Sequence, residues 1–308
     1  MEFVNLYVQT EYSILSSAIR LDDYFKYAKD NNLKVLSICD NDMYGAYKFY
    51  DGCIKNNIKP IIGLSLNLAS PNEDIDNILL YAYNLEGYIN LCKLVTTSHL
   101  EGFGNDKYSV LAKYSKGLIA ILPGSESAII REFRKDTNNK ELIDNLSFVK
   151  GIFEYFYIGL MVQNSYEKEI FGGLYVLGRA ANIKMVAMHK TSYLDKEDLE
   201  VYKVVKQISK ISDGNTTYNL SQKEENGFYL NSDIASFTFI NYPDLLDASG
   251  EISNICNLEL KKDGYHFPKY ALPDGSKIDS KEYLSELAKL GLNKRLANKN
   301  LDNNQINV

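Results

Sequence analysis

Over its first two hundred residues this chain alternates short apolar runs with amphipathic stretches, and that alternation restricts the fold more than any other feature. The runs are "FVNLYV" (3–8), "KVLSIC" (34–39), "IKPIIGLSLNLA" (58–69), "NILLYAYN" (77–84), "GLIAIL" (117–122), "FEYFYIGLMV" (153–162) and "IKMVAM" (183–188). Each has strand length and composition. Between them lie helical patterns, such as Leu21, Tyr24, Phe25 and Ala28 at i, i+3, i+4 and i+7, and helices over 44–56, 85–100, 165–182 and 198–209. Seven strands, most followed by helices, predict βαβ units and a parallel sheet or a small β/α barrel. In such a barrel the site lies at the C-terminal ends of the strands. Functional side chains are therefore expected at 7–9, 39–41, 63–65, 122–124 and 188–192.

The pattern changes beyond residue 210. "ISDGNTTYNLSQKEENGFYLNS" (211–232) is polar and turn-rich and reads as a loop or insertion, most variable near 211–226. A helix is expected from Pro243 to Leu260, with proline at its start. "YHFPKYALPDG" (265–275) reads as an extended connector, followed by an amphipathic helix over 280–296 and a polar, frayed end. The net charge of −6 argues against autonomous nucleic-acid binding. From Lys261 onward, however, nine Lys and Arg stand against six Asp and Glu, which hints at a change of role near residue 260. No apolar run is long enough to cross a membrane, and the N-terminus lacks the pattern of a signal peptide. Cys39, Cys53, Cys92 and Cys256 form no Cys-x-x-Cys pair and read as reduced thiols. The expectation is a soluble, cytoplasmic protein.

Several residues carry a chemical and a plain reading together. Tyr7 and Gln9, two apart on a strand, share one face where a metal enzyme would place a His-x-His pair. Asp40 and Asn41 follow a strand and could ligate a metal, or cap the next helix through an Asx-turn. His99 could be a ligand or could complement a helix C-terminus. His189 follows another strand, and His266 falls in the connector, where packing is the expected role. Asp74 and Asp76 superficially resemble a two-metal pair, but are read as a solvated turn. No Walker A, Gly-x-Ser-x-Gly or Rossmann glycine pattern is present. Three histidines are too few for an imidazole-rich three-metal site.

The segment "YVQTEYSILSSAIRLDDYFKYAKDNNLKVLSICDNDMYGAYKFYDGCIKNNIKPIIG" closely resembles the start of the bacterial DNA polymerase III alpha subunits, the C-family replicative polymerases, in their N-terminal PHP (polymerase and histidinol phosphatase) domain region. "NLCKLVTTSHLEGF", "KGLIAIL", "HKTSYLDKEDLEVYKVVKQI", "GFYLNS", "EISNICNLEL" and "YHFPKYALPDG" continue the resemblance in order. It implies an α/β fold, a PHP-type distorted seven-stranded β/α barrel over 1–265. A short extended and helical segment over 266–308 would begin the polymerase palm.

In active members of the family His, Asp, Glu and Cys at the strand ends hold up to three metals. By the resemblance, the His-x-His pair falls on Tyr7 and Gln9, and the following Asp on Ser16. The Asp-His pair falls on Asp40 and Asn41, a frequent Glu on Ser65, and the helix-end His on His99. The Cys of the Gly-Cys turn falls on Gly124, and the late Asp-x-His on Lys190 and Ser192. Only Asp40 and His99 keep ligand chemistry, and a lysine at a ligand position opposes metal binding directly. The resemblance therefore implies a degenerate metal site, no catalytic residue and no cofactor in this chain. Magnesium belongs to a palm site whose Asp-x-Asp lies beyond its end. The chain is expected to be an N-terminal fragment, or a split or truncated gene product, inactive as a polymerase alone and structural in role. Its expected partners are the rest of the polymerase chain and, in some bacteria, a proofreading exonuclease or other replisome proteins, with DNA reached only through the full polymerase. The alternative is a metal-dependent phosphoesterase or 3′–5′ exonuclease with a reorganised ligand set holding zinc or manganese.

Overall fold

A computed structural model describes residues 3–69, 74–134, 138–211, 219–261, 264, 270, 272 and 279–297. It divides into two units, Met1–Leu260 and Lys261–Val308. In the first, β1 (Val35–Asp40), β2 (Lys59–Asn67), β3 (Asn77–Ala82), β4 (Leu118–Pro123), β5 (Tyr155–Leu160) and β6 (Lys184–Ala187) form one curled sheet in sequence order. Six of the seven apolar runs are thus strands.

The sheet departs from the expected parallel arrangement at β3, which is antiparallel to both β2 and β4, whereas β1–β2, β4–β5 and β5–β6 are parallel. The reversal turns β3 end for end. Its N-terminal residues, Asp76 and Asn77, join the C-terminal ends of the other strands.

The first apolar run is not a regular strand. Residues 3–8 are extended and buried, but only Val8 forms a bridge, to Thr191. The segment is nonetheless bonded on both sides. Cys39 N–H donates to Val8 O (2.7 Å), Thr191 N–H to Tyr7 O (2.8 Å), and Gln9 N–H to Thr191 O (2.9 Å). It therefore lies between β1 and the chain that leaves β6. Side chains satisfy carbonyls that a strand ladder would have used: Ser37 Oγ donates to Asn5 O and Leu6 O, and Tyr81 OH to Leu6 O.

Alternation along the strands sorts the core into two clusters. Inward-facing Ile61, Tyr81, Ile119, Ile121, Tyr157 and Val186 pack with Leu6 and Tyr7. One end of this inner cluster is filled by Ala248 and Ile252 of α11 (Pro243–Ile255), a helix that begins with proline and ends five residues short of the expected Leu260. Outward-facing Ile62, Ala120 and Leu122 pack under the surrounding helices. In chain order these helices are α1 (Leu21–Asp30), α2 (Ala46–Lys55), α3 (Leu85–Leu100), α4 (Lys107–Lys113), α5 (Ala128–Arg131), α6 (Lys140–Lys150), α7 (Ser165–Ala180), α8 (Leu199–Ile211), α9 (Gln222–Glu225) and α10 (Ser232–Thr238). The short helix α9 lies in the stretch read as loop, whose residues 212–218 are outside the described set.

The second unit contains α12 (Ser280–Leu296), on which no described residue is buried. Most of the expected connector, including His266, lies outside the described residues. Among the described residues no helix is long and apolar enough to cross a membrane.

Candidate site at the mouth of the barrel

The strand ends surround a cleft of about 640 Å³, and its floor is a network of charges. Glu126 is delivered by the single turn Gly124–Glu126 after β4, with Gly124 at φ +49°, a left-handed conformation that suits glycine. Its carboxylate accepts from Tyr7 OH (2.7 Å) and Asn77 Nδ2 (2.9 Å). Two ammoniums approach the same group. Lys190 Nζ lies 3.1 and 3.3 Å from its oxygens, and Lys223 Nζ 3.1 Å from Oε1. Lys223 also donates to Glu167 Oε1 at 2.7 Å. Glu167, in the first turn of α7, is fixed in turn by Ser125 Oγ (2.7 Å) and Gln163 N–H (2.9 Å). Lys190 Nζ stands 5.2 Å from the centre of the Tyr7 ring, a cation–π contact.

Burial by itself would raise the Glu126 carboxyl, but the Lys190 and Lys223 charges hold it well below the usual carboxylate range. Burial would lower Lys223, and Glu126 and Glu167 overcome that and raise it. The Tyr7 hydroxyl is pushed up, first by burial and then by the Glu126 charge. Glu126 is therefore a carboxylate and Lys223 an ammonium at neutral pH, and Tyr7 stays a neutral donor.

The other sequence-identified positions lie around this floor. Ser65 Oγ is 3.2 Å from Tyr7 OH. Gln9 Nε2 donates to Asn41 Oδ1 (2.8 Å). Ser16 and Ser192 line the cleft. Asp40 is buried and accepts from Thr10 N–H (2.6 Å), Thr10 Oγ1 (2.7 Å) and Ser13 Oγ (2.7 Å). Burial raises its carboxyl against those bonds. Asp40 thus clamps the loop that follows Gln9. His99 pairs with Asp42 (2.7 Å) and is 59% exposed; it does not pair with Asp40. His189 is buried, donates to Phe228 O (2.9 Å) and is lowered to about 4, chiefly by burial.

One expectation is overturned. Asp76 is not in a solvated turn; it is buried, pairs with Lys107 (2.7 Å) and accepts from Ala128 N–H (2.8 Å), while Asp74 is exposed. The reversal of β3 carries Asp76 inward.

Glu126, Glu167, Asn77 and Lys223 were missed from the sequence. Glu126 had a signal, since it stands two residues past Gly124 at a strand end. Lys223 had none, because its approach to the floor depends on how a polar stretch folds back. Among the described residues, no three His, Cys, Asp or Glu side chains are grouped so as to hold a metal ion.

A family model for the PHP domain matches residues 5–163. The DNA polymerase III subunit alpha of Buchnera aphidicola subsp. Schizaphis graminum is 30% identical to the chain, over 96% of this chain and 26% of that protein. The protein of the same name from Bacillus subtilis is 27% identical, with the same coverage. The chain thus spans about a quarter of the length of these relatives. An amidohydrolase of solved structure from Chromobacterium violaceum superposes with a TM-score of 0.41 at 8% identity, covering 61% of this chain and 87% of that one, a likeness too slight to add to the fold.

Proposed function

The chain belongs to the PHP domain family, and from that premise we propose that it is the N-terminal PHP region of a replicative DNA polymerase alpha subunit, serving as a non-catalytic structural and interaction domain. One observation carries the reading: two lysine ammoniums occupy the floor where the family places cations, and both neutralise Glu126. A divalent ion brought to Glu126 or Glu167 would meet those charges within a few ångströms, in a cleft where repulsion is weakly screened. The donors present do not suit a metal either. Amides and hydroxyls at Gln9, Asn41, Ser65 and Ser192 are poor ligands for zinc, and Asp40 is committed to its loop.

In this reading residues 1–265 form the PHP domain and 266–308 begin the palm. The domain's partners are the remainder of the polymerase chain and, where one exists, a proofreading exonuclease, all in the cytoplasm. Elemental analysis after incubation with zinc and manganese, followed by desalting, tests it. Less than about a tenth of a metal per chain is expected. Near-stoichiometric metal together with hydrolysis of DNA 3′ ends would replace the reading by that of a metal-dependent phosphoesterase or exonuclease.

A further inference from the structure

We propose that Ser221–Asn226, the segment built on α9, is a strap that opens and closes over the floor of the cleft as a unit separate from the barrel. Its sequence, "SQKEEN", has no apolar side chain, and no residue of α9 is fully buried. Burial of hydrocarbon therefore contributes little to holding it in place, and polar bonds dock it to α7, α8 and the floor. Gln222 Oε1 accepts from Ser165 N–H (2.8 Å) and Ser165 Oγ (3.0 Å) at the start of α7. Asn226 and Gln163 exchange bonds, Asn226 Nδ2 donating to Gln163 O (2.9 Å) and Gln163 Nε2 to Asn226 O (2.9 Å). Glu224 pairs with Lys206 of α8 at 3.2 Å. Lys223 reaches the floor, where it meets Glu126 and Glu167. The chain just beyond is held in the opposite manner. Tyr229 and Leu230 are buried in the outer core cluster, and Gly227 O accepts from Ser192 N–H at 2.7 Å. A firm anchor thus adjoins an element docked by polar bonds, and the break between them falls at Asn226 and Gly227. The closed state also carries a repulsion of its own, since Lys190 and Lys223 each lie 3.1 Å from the same oxygen, Glu126 Oε1. When the strap lifts, Lys190 remains beside Glu126, and Glu167 keeps its bonds from Ser125 Oγ and Gln163 N–H while water enters where Lys223 stood. Segments held in this way open locally and at less cost than a core strand. Closed, the strap covers both carboxylates; open, it uncovers them, and so it governs what reaches the floor.

The strap does not depend on the reading of the domain as part of a polymerase. Hydrogen exchange of the intact chain, followed by mass spectrometry at about 0.02 M and about 1 M sodium chloride, tests it. An open strap presents separated charges that salt stabilises. Amides of 222–227 are therefore expected to exchange about fivefold faster or more at the higher salt, while those of β4 and β5 do not. Gln222→Ala removes both bonds to Ser165 and no charge. It is expected to bring a similar acceleration already at low salt, with the urea midpoint little changed. Acceleration by salt with Gln222→Ala inert supports a strap held by its ion pairs alone. Exchange of the strap no faster than that of the strands means that it opens only with the whole molecule, and overturns the proposal. Exchange complete at the first time point at both salt concentrations, which leaves no closed state, overturns it too, as does exchange indifferent to salt. The salt comparison uses the unaltered chain, so it decides the matter even if Gln222→Ala unfolds early.

Discussion

Lys223 is the ammonium shared by two carboxylates, Glu126 and Glu167, of which only Glu126 has a second, Lys190. In Lys223→Met the side chain keeps its length and loses its charge, and two buried carboxylates remain with Lys190 alone near one of them. Breaking a buried pair by removing one partner costs on the order of 3 kcal/mol, so the urea midpoint of this variant is expected to fall clearly. Adding Glu167→Gln should restore part of the loss, because it removes the charge that was stranded. His189 sets a pH dependence of its own. Its folded pKa is depressed to about 4 from an unfolded value of 6.5, so between these values the unfolded chain binds a proton that the native chain does not. Stability contributed by the buried neutral ring is complete above about pH 6.5 and is lost as pH falls toward 4, amounting to about 3 kcal/mol at the lower end. Glu126, also depressed, extends the loss to still lower pH. Unfolding curves of His189→Gln should be flatter than those of the parent between pH 6.5 and 4; equal slopes would remove His189 as the cause.

Among the elements, α3 depends on a contact that admits no side chain. Asn84 caps it by accepting from Gly87 N–H, and a Cβ at Gly87 would stand 1.9 Å from the carbonyl oxygen of Gly117. Gly117 is itself at φ +77°, and a Cβ there would stand 2.3 Å from Gly87 N. Backbone cannot yield as a flexible side chain does, so Gly87→Ala should lower stability by about 2 kcal/mol or more, read as a lower melting temperature. The strands themselves were legible because buried apolar runs must lie in the sheet, and the six that became strands sit within a few residues of the runs. The direction of β3 was only half legible. Seven residues separate the second and third of those runs, fewer than a parallel crossover needs, so an antiparallel turn could have been read there. The long, helix-bearing path from β3 to β4 then suggests a parallel return that the chain does not make. Missing that reversal also cost the placement of Asp76 and Asn77. The first run escaped strand form because Ser37 and Tyr81 hydroxyls took its carbonyls, a competition that hydrophobic pattern does not encode. Glu126 stands beside an expected strand end, whereas Lys223 depends on tertiary folding of a polar segment.

On the scale of the whole molecule, the two core clusters contain no residue beyond Leu260 among those described. The charge network, Asp40 with its loop and the α11 plug all belong to the first unit as well. The second unit presents Leu284 (66% exposed), Leu287, Leu290 and Leu292 on a helix with no buried residue among those described. The stability of the barrel should then reside entirely in residues 1–260. A chain stopped after Leu260 is expected to melt within about 2 °C of the full chain, because both core clusters lie within it. If the floor holds no metal, as proposed, chelator should shift neither melt. A truncated chain melting about 10 °C lower would mean that the helix with the exposed leucines contributes substantial burial, and the division at residue 260 would fail as a folding boundary. A chelator-sensitive melt in both chains, with the truncation itself silent, would leave the boundary standing and put a metal back at the floor.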